Sequence, residues 1–241
     1  MRYQEIVRGA FLERPNRFIA RVDLDGQTVV AHVKNTGRCR ELLLPGAAVY
    51  LERAASTARK TAFDLVAVEK ARSGRPPLLI NMDAQAPNRV FHEWVLTGKG
   101  AEAGLPRPTL LRPETTWGNS RFDFYWEESD SRRRGYVEVK GVTLEEDGIV
   151  RFPDAPTERG VKHLEELAAA CRAGYEACVF FVVQMAEALC FAPNDRTHPA
   201  FGAALRRVAA EGVRVLAWDC RVAPDALELA RQVPVRLEMN E

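Results

Sequence analysis

An aspartate and a glutamate-x-lysine triplet, Asp123 and Glu138-Val-Lys140, are the residues of this 241-residue chain whose types and spacing point most directly to chemistry. They lie in two alternating runs, Arg121-Phe-Asp-Phe-Tyr-Trp126 and Tyr136-Val-Glu-Val-Lys140, the pattern of half-buried strands. In the first run Phe122, Phe124 and Trp126 are expected on one face and Arg121, Asp123 and Tyr125 on the other. In the second, Val137 and Val139 point to the core, while Tyr136, Glu138 and Lys140 share the opposite face. The polar segment 127–135 ends in Gly and reads as the loop of an antiparallel hairpin. A loop symmetric about positions 130 and 131 sets Asp123 opposite Glu138, with the side chains about 5 Å apart. Two carboxylates there repel by about 3 kcal/mol at an effective dielectric of about 20. A divalent cation between them removes that cost. Asp123, Glu138 and the Val139 carbonyl are hard oxygen ligands suited to Mg²⁺ or Mn²⁺. Lys140 would then orient a water or stabilise charge developing on a phosphoryl group, the chemistry of metal-dependent phosphodiester hydrolysis. The plainer alternative is an exposed Glu-x-Lys ion pair of little consequence.

Around this hairpin the sequence falls into two parts. In residues 1–82, five strands are expected at 5–13, 17–24, 29–34, 48–53 and 63–70, broken at Pro15-Asn16, Asp25-Gly26, Pro45-Gly46 and Ser73-Gly74. Asp25-Gly26 is the strongest hairpin signal. So many short strands suit a small barrel, and the count alone does not choose between OB-like and SH3-like. Residues 83–241 alternate helices and strands, the pattern of an α/β mixed sheet. A helix is expected over 86–96. Another follows Thr157, which can N-cap it, with Val161, Leu164, Leu167 or Ala168, and Cys171 inward and Gly174 at its end. Cys178 to Val183 is a continuous apolar strand, completing a right-handed parallel crossover from the hairpin. Gln184 at its end is placed to bind the attacking water or a phosphate oxygen. A helix over 199–211, a strand over 213–218 and an edge segment over 225–241 with frayed Met239-Asn-Glu241 close the chain.

Composition excludes several classes. Hydrophobic content of 46% and charged content of 28% are ordinary for a globular protein. No apolar run reaches membrane-helix length and the start lacks a signal-peptide core, so a cytoplasmic protein is expected. Five cysteines without Cys-x-x-Cys spacing read as reduced thiols, and four scattered histidines suggest no metal cage. Charge is unevenly placed. Residues 1–82 carry 14 Lys and Arg against 8 Asp and Glu, a net +6, and residues 83–241 carry 20 against 25, a net −5. That asymmetry fits a basic grip joined to a metal-binding unit. In the basic part, Asn35-Thr-Gly-Arg-Cys-Arg40 leaves a strand and offers loop amides with Arg38 and Arg40, groups suited to phosphate or simply to solvent.

The hairpin resembles the catalytic core of the PD-(D/E)xK nucleases. The whole chain is similar to the sugar fermentation stimulation protein (SfsA) family through Asn35-Thr-Gly37, Leu44-Pro-Gly46, Gly118-Asn-Ser-Arg-Phe-Asp123, Tyr136-Val-Glu-Val-Lys140, Phe152-Pro-Asp-Ala155, Arg159-Gly-Val-Lys-His-Leu164 and Phe181-Val-Val-Gln184. Gly141 stands where that pattern expects Ser, and Pro156 replaces an aliphatic residue. The resemblance implies an OB-like barrel over 1–82 and a nuclease-like domain over 83–241. It implies Glu93 as a further acid reaching the metal from the first helix, and Arg159 and Lys162, with Arg121, as phosphate contacts. The partner expected is nucleic acid, DNA before RNA. Exposed edge strands allow a homodimer. The alternatives are a DNA-binding regulator of sugar-utilisation genes without activity, and an enzyme acting on a small phosphorylated compound. The second lacks any Gly-rich phosphate loop.

Overall fold

The computed structural model describes residues 1–35, 37–54, 59–105 and 107–238. Thr36 of the Asn35-Thr-Gly37 block and the expected frayed end Met239-Asn-Glu241 lie outside the described residues. Six strands make the first sheet: β1 (Ile6–Asn16), β2 (Ile19–Leu24), β3 (Gln27–Val33), β4 (Ala48–Arg53), β5 (Phe63–Arg72) and β6 (Arg75–Asn81). Their order is β3-β2-β1-β4-β5-β6, and a parallel pairing of β3 with β5 closes the first five into an OB-type barrel. Inward side chains at alternate positions, such as Val22, Leu51 and Leu65, are fully buried. The Asp25-Gly26 hairpin forms as expected, with φ of 52° and 85° and Leu24 paired with Gln27.

The sixth strand was not expected. Pro76 and Pro77 obscure it, yet β6 is the sheet edge, where a proline costs no ladder bond on its outer side.

The second part begins with α1 (Ala86–Leu96), the interval expected, and a single 3₁₀ turn at Lys99–Ala103. There follow β7 (Leu110–Trp117), β8 (Ser120–Glu128), β9 (Arg133–Val142), β10 (Leu144–Glu146), β11 (Ile149–Phe152), α2 (Glu158–Arg172), β12 (Glu176–Val183), β13 (Cys190–Pro193), α3 (Pro199–Ala210), β14 (Arg214–Ala223) and β15 (Ala226–Gln232). The large sheet runs β15-β14-β12-β9-β8-β7, with β9, β12 and β14 mutually parallel. Thr157 caps α2, its hydroxyl accepting the Gly160 N–H at 3.0 Å. β12 is buried on both faces: Phe180 packs with Phe91, Trp94 and Trp218 under α1, and Phe181 with Phe152 and Phe191 on the other side. The α2 face of the sheet and the barrel interior form one continuous apolar core, so the barrel is fused to the sheet.

Candidate active site

β8 and β9 pair regularly from Glu128↔Arg133 to Phe124↔Val137, so the next step places Asp123 across from Glu138, as hairpin symmetry requires. There the main-chain ladder stops. The Asp123 carboxylate fills the gap: Oδ2 accepts the Val139 N–H at 2.8 Å and Oδ1 accepts from Asn88 Nδ2 on α1 at 2.7 Å. The buried amide keeps a partner while the strands part.

The same interruption corrects the expected faces. Phe122 does not share a face with Phe124 and Trp126. It packs on Tyr136 and His163 at ring separations of 5.3 and 6.3 Å, while Phe124 and Trp126 join the α1 cluster. Tyr125 is likewise buried, against Tyr136 at 5.0 Å. Strict alternation holds only where the ladder is continuous.

Glu138 is 2% exposed. Its Oε1 accepts Lys140 Nζ at 2.5 Å and the Nδ1–H of His163 on α2. Arg159 Nε donates to His163 Nε2 at 3.3 Å, which sets the tautomer with the proton on Nδ1. Oε2 of Glu138 is buried and, among the described residues, has no partner. The two acids therefore differ. Burial, and then the nearby Glu138 charge, push the Asp123 carboxyl up. Burial acts the same way on Glu138, but the His163 bond and the Lys140 ammonium outweigh it and hold that carboxyl below the usual range.

Next along β9 from Lys140, at Gly141, begins a hollow that Asp123, Glu138 and Lys140 do not themselves line. This hollow, of about 100 Å³, is lined by Asn35, Gly141, Thr143, Arg151, Asp154 and Gln184, among others. Burial raises the Asp154 carboxyl here. Gln184 lines the hollow, but it does not project freely from the strand end. It is 1% exposed, and its Nε2 donates to Asn81 O, Asn81 Oδ1 and Asp83 O at 3.2, 2.8 and 3.0 Å, tying the sheet to the barrel. Gly141 permits this, since a Cβ there would come within 2.4 Å of Gln184 Oε1.

Glu93 is not brought to the group. Its carboxylate binds the N-terminal ammonium at 2.7 Å and Arg89 at 3.3 Å, in a different hollow beside Met1 and Leu227. Five residues along α1 rotate it away from Asn88, which is the helix residue that meets Asp123. Arg121 is exposed and faces Glu114 at 3.5 Å, and Lys162 Nζ reaches Asn119 O at 3.0 Å. Arg159 joins the site through His163. Asn35 sits at the hollow, and Arg38 and Arg40 lie exposed on the loop beyond it. From the sequence, His163 groups with Arg159 and Lys162 as a basic residue toward the substrate, whereas the structure buries it against Glu138. Its position beside Leu164 and four before Leu167, on the inner stripe of α2, is the signal for its burial. Asn88 and Arg14 were missed with no comparable signal. Among the described residues no three His, Cys, Asp or Glu side chains form a ready cage, and the acid pair stands alone.

A closed OB-type barrel fused to a mixed α/β sheet, with paired acids and a lysine where its central ladder breaks, is thus the class defined here. Residues 12–75 match the SfsA N-terminal OB domain, and residues 85–226 match the sugar fermentation stimulation protein RE domain. Among curated relatives, the sugar fermentation stimulation protein homolog of Desulfitobacterium hafniense (strain DSM 10664 / DCB-2) is 52% identical, covering 98% of this chain and 99% of its own. That of Ruminiclostridium cellulolyticum is 48% identical, covering 98% of this chain and all of its own. The solved structure of Pyrococcus furiosus SfsA in complex with Ca²⁺ superposes with a TM-score of 0.85 at 25% identity, covering 98% of each chain. The chain belongs to the sugar fermentation stimulation protein family.

Proposed function

We propose that this protein is a divalent-metal-dependent nuclease whose barrel grips nucleic acid. The observation that carries this reading is the buried, unpartnered Oε2 of Glu138 beside the Asp123 carboxylate. An orphaned anionic oxygen next to a second, repelled carboxylate is costly in the absence of a cation. The residues fit one: Asp123, Glu138 and the Val139 carbonyl would hold Mg²⁺ or Mn²⁺, all oxygen donors. A relative solved with Ca²⁺, another hard cation, supports that fit. When bound, such an ion supplies Lewis acidity toward a phosphate and acidifies its water.

The chain's own residues do the rest. His163 and Lys140 occupy one oxygen of Glu138 and so aim the other at the ion. Lys140, about one-fifth exposed at its side chain, keeps its ammonium on Glu138, where it would hold the attacking water or donate to the charge developing on the phosphoryl oxygens. Gln184, whose amide nitrogen is already engaged, offers only its carbonyl oxygen to the cleft. Arg121 and Lys162 flank the site as phosphate contacts, and Asn35, Arg38 and Arg40 continue that contact on the barrel.

The test is cleavage of labelled single-stranded DNA, duplex DNA and RNA in Mg²⁺, Mn²⁺ or EDTA, with Lys140→Ala alongside. Metal-dependent cutting by the parent, lost in Lys140→Ala while divalent-ion binding by calorimetry survives, is the expected result. Equal cutting by the variant sinks the role of Lys140. Tight, salt-sensitive binding with no cutting by either form would make this a non-catalytic DNA-binding regulator instead.

A further inference from the structure

At the barrel end facing Asp154, Arg38 and Arg40 belong to a larger feature. β1 turns into β2 through Arg17 and Phe18, and β3 leaves the barrel through the loop leading to Arg40. Arg14 fastens the two turns together. Its Nη1 donates to the Gly37 and Arg38 carbonyls at 2.8 and 2.7 Å, and its Nη2 to the Arg17 and Asn35 carbonyls at 2.7 and 2.8 Å. With four carbonyls drawn onto one guanidinium, Arg17, Arg38 and Arg40 border an open hollow of about 280 Å³. Its lining holds no acid, and among the described residues none of these three arginines forms an ion pair, whereas Arg21 on the adjacent strand pairs with Glu13 at 2.5 Å.

Phe18 completes the feature. Its ring is 43% exposed at the tip of the turn, where Asn16 Oδ1 accepts its N–H at 2.9 Å and so fixes the bend. The Arg17 guanidinium lies 4.6 Å from the ring centroid, stiffening the aromatic surface. A solvent-facing ring beside the Arg17 guanidinium, at the rim of a hollow bordered by Arg38 and Arg40, has two unmet needs, a flat apolar partner and an anion. One nucleotide supplies both, its base to the ring and its phosphate to the arginines.

We propose that Phe18, Arg17, Arg38 and Arg40 bind an unpaired nucleotide, so that the nucleic acid this protein takes is single-stranded or carries a single-stranded stretch. A base inside a duplex is stacked on both faces and has none to offer Phe18. The inference rests on the nucleic-acid reading above and narrows it. Geometry joins the two sites. Gly37, beside this hollow, abuts Asp154 so closely that a Cβ would lie 2.1 Å from its Oδ2. Asn35, two residues away and so within about 7 Å, lines the cleft beyond Lys140. A strand held at Phe18 is thereby led across the loop to the paired acids.

The experiment uses the full chain in EDTA, so that binding is read without cleavage. Fluorescence anisotropy is measured with labelled oligothymidylate and with a blunt duplex, and thymidine monophosphate is the competitor. Phe18→Ala is expected to weaken oligothymidylate binding by about 5- to 100-fold and to leave duplex binding as it was. Phe18→Trp should keep parental affinity, and because the ring is exposed neither variant should change the melting temperature. Arg38→Ala should lower the salt slope for the single strand by about 0.7. The proposal is overturned if Phe18→Ala binds the single strand as the parent does, if the parent prefers blunt duplex, or if the mononucleotide competes as well as the strand. A parent that shows this binding pattern but cuts nothing in Mg²⁺ or Mn²⁺ would retain this site and lose the nuclease reading. A parent that cuts while Phe18→Ala binds normally would do the reverse.

Discussion

Asp123 and Val139 are joined where two main chains would ordinarily pair: a carboxylate oxygen of the one accepts the amide of the other at 2.8 Å. One side chain thus satisfies a buried N–H and holds a negative charge beside Glu138. The two duties can be separated. Asp123→Asn retains an acceptor for the Val139 N–H and removes the charge that burial and Glu138 disfavour. In EDTA it should melt at or above the parent, by about 2–4 °C for each 1 kcal/mol of relieved repulsion, and cleavage should be lost. Asp123→Ala orphans the amide and should be less stable than the Asn variant by about 1–3 kcal/mol. Thermal melts of the three proteins decide it, and an Asn variant that melts below the parent would show that the charge is not a burden.

His163 acts on the same pair from the opposite helix. By occupying Oε1 of Glu138 it leaves the buried Oε2 for a cation. Partners of this kind are worth about 10- to 100-fold in metal affinity. Calorimetric titration of His163→Ala with Mn²⁺ should show a loss in that range, with His163→Gln, which can still donate to Oε1, recovering part of it. Unchanged affinity in His163→Ala would assign the histidine to packing against Phe122 alone.

The hairpin, its register and the first five strands were legible in the sequence because each follows from a local pattern, whereas the OB-type barrel came from the family resemblance and closes through the distant β3–β5 pairing. Alternation, a symmetric polar loop and an Asp-Gly turn determine themselves over a few residues. What was not legible depends on the interruption of those patterns. The swing of Phe122 away from Phe124 happens because the ladder breaks at Asp123, and alternation carries no mark of a break. Pro76 and Pro77 hid β6, since only the finished sheet shows it to be an edge. Glu93 and Asn88 sit on one helix, and choosing which meets the acid requires the rotation of α1 over the sheet. Arg14 spends its guanidinium on loop carbonyls, an arrangement with no periodicity to read.

Glu145 supplies a pH test remote from the paired acids. On β10 it is 8% exposed, and Lys70 Nζ from the barrel meets its Oε2 at 2.6 Å while the Gly148 N–H meets Oε1 at 2.5 Å. Burial pushes its carboxyl up, but the Lys70 and Gly148 bonds outweigh that and lower it. A carboxyl lowered on folding lends stability above its unfolded value, and that stability is lost as pH falls through the folded one. Glu145→Gln should therefore be less stable than the parent near pH 7 by about 1–3 kcal/mol. The gap should close below about pH 4. Denaturant unfolding of both proteins across that interval checks it, and a constant gap would mean that the bridge is not electrostatic.

Gly141 offers the last test because it stands on β9 between Lys140 and the joint with the barrel. A Cβ at this position would meet Gln184 Oε1 at 2.4 Å and Pro87 Cγ at 2.7 Å, both closer than real contacts allow. The Gln184 amide cannot retreat without leaving Asn81 and Asp83, which hold the barrel against the sheet. Gly141→Ser should thus loosen the joint between the two parts, lowering stability by about 1–3 kcal/mol through the displaced hydrogen bonds. Gln184→Ala combined with Gly141→Ser should cost less than the two single losses added together, since the contact with Gln184 Oε1 is then gone and only that with Pro87 Cγ is left. A double-mutant cycle read by denaturant unfolding measures this coupling, and strictly additive losses would place the strain at Pro87 and not at Gln184.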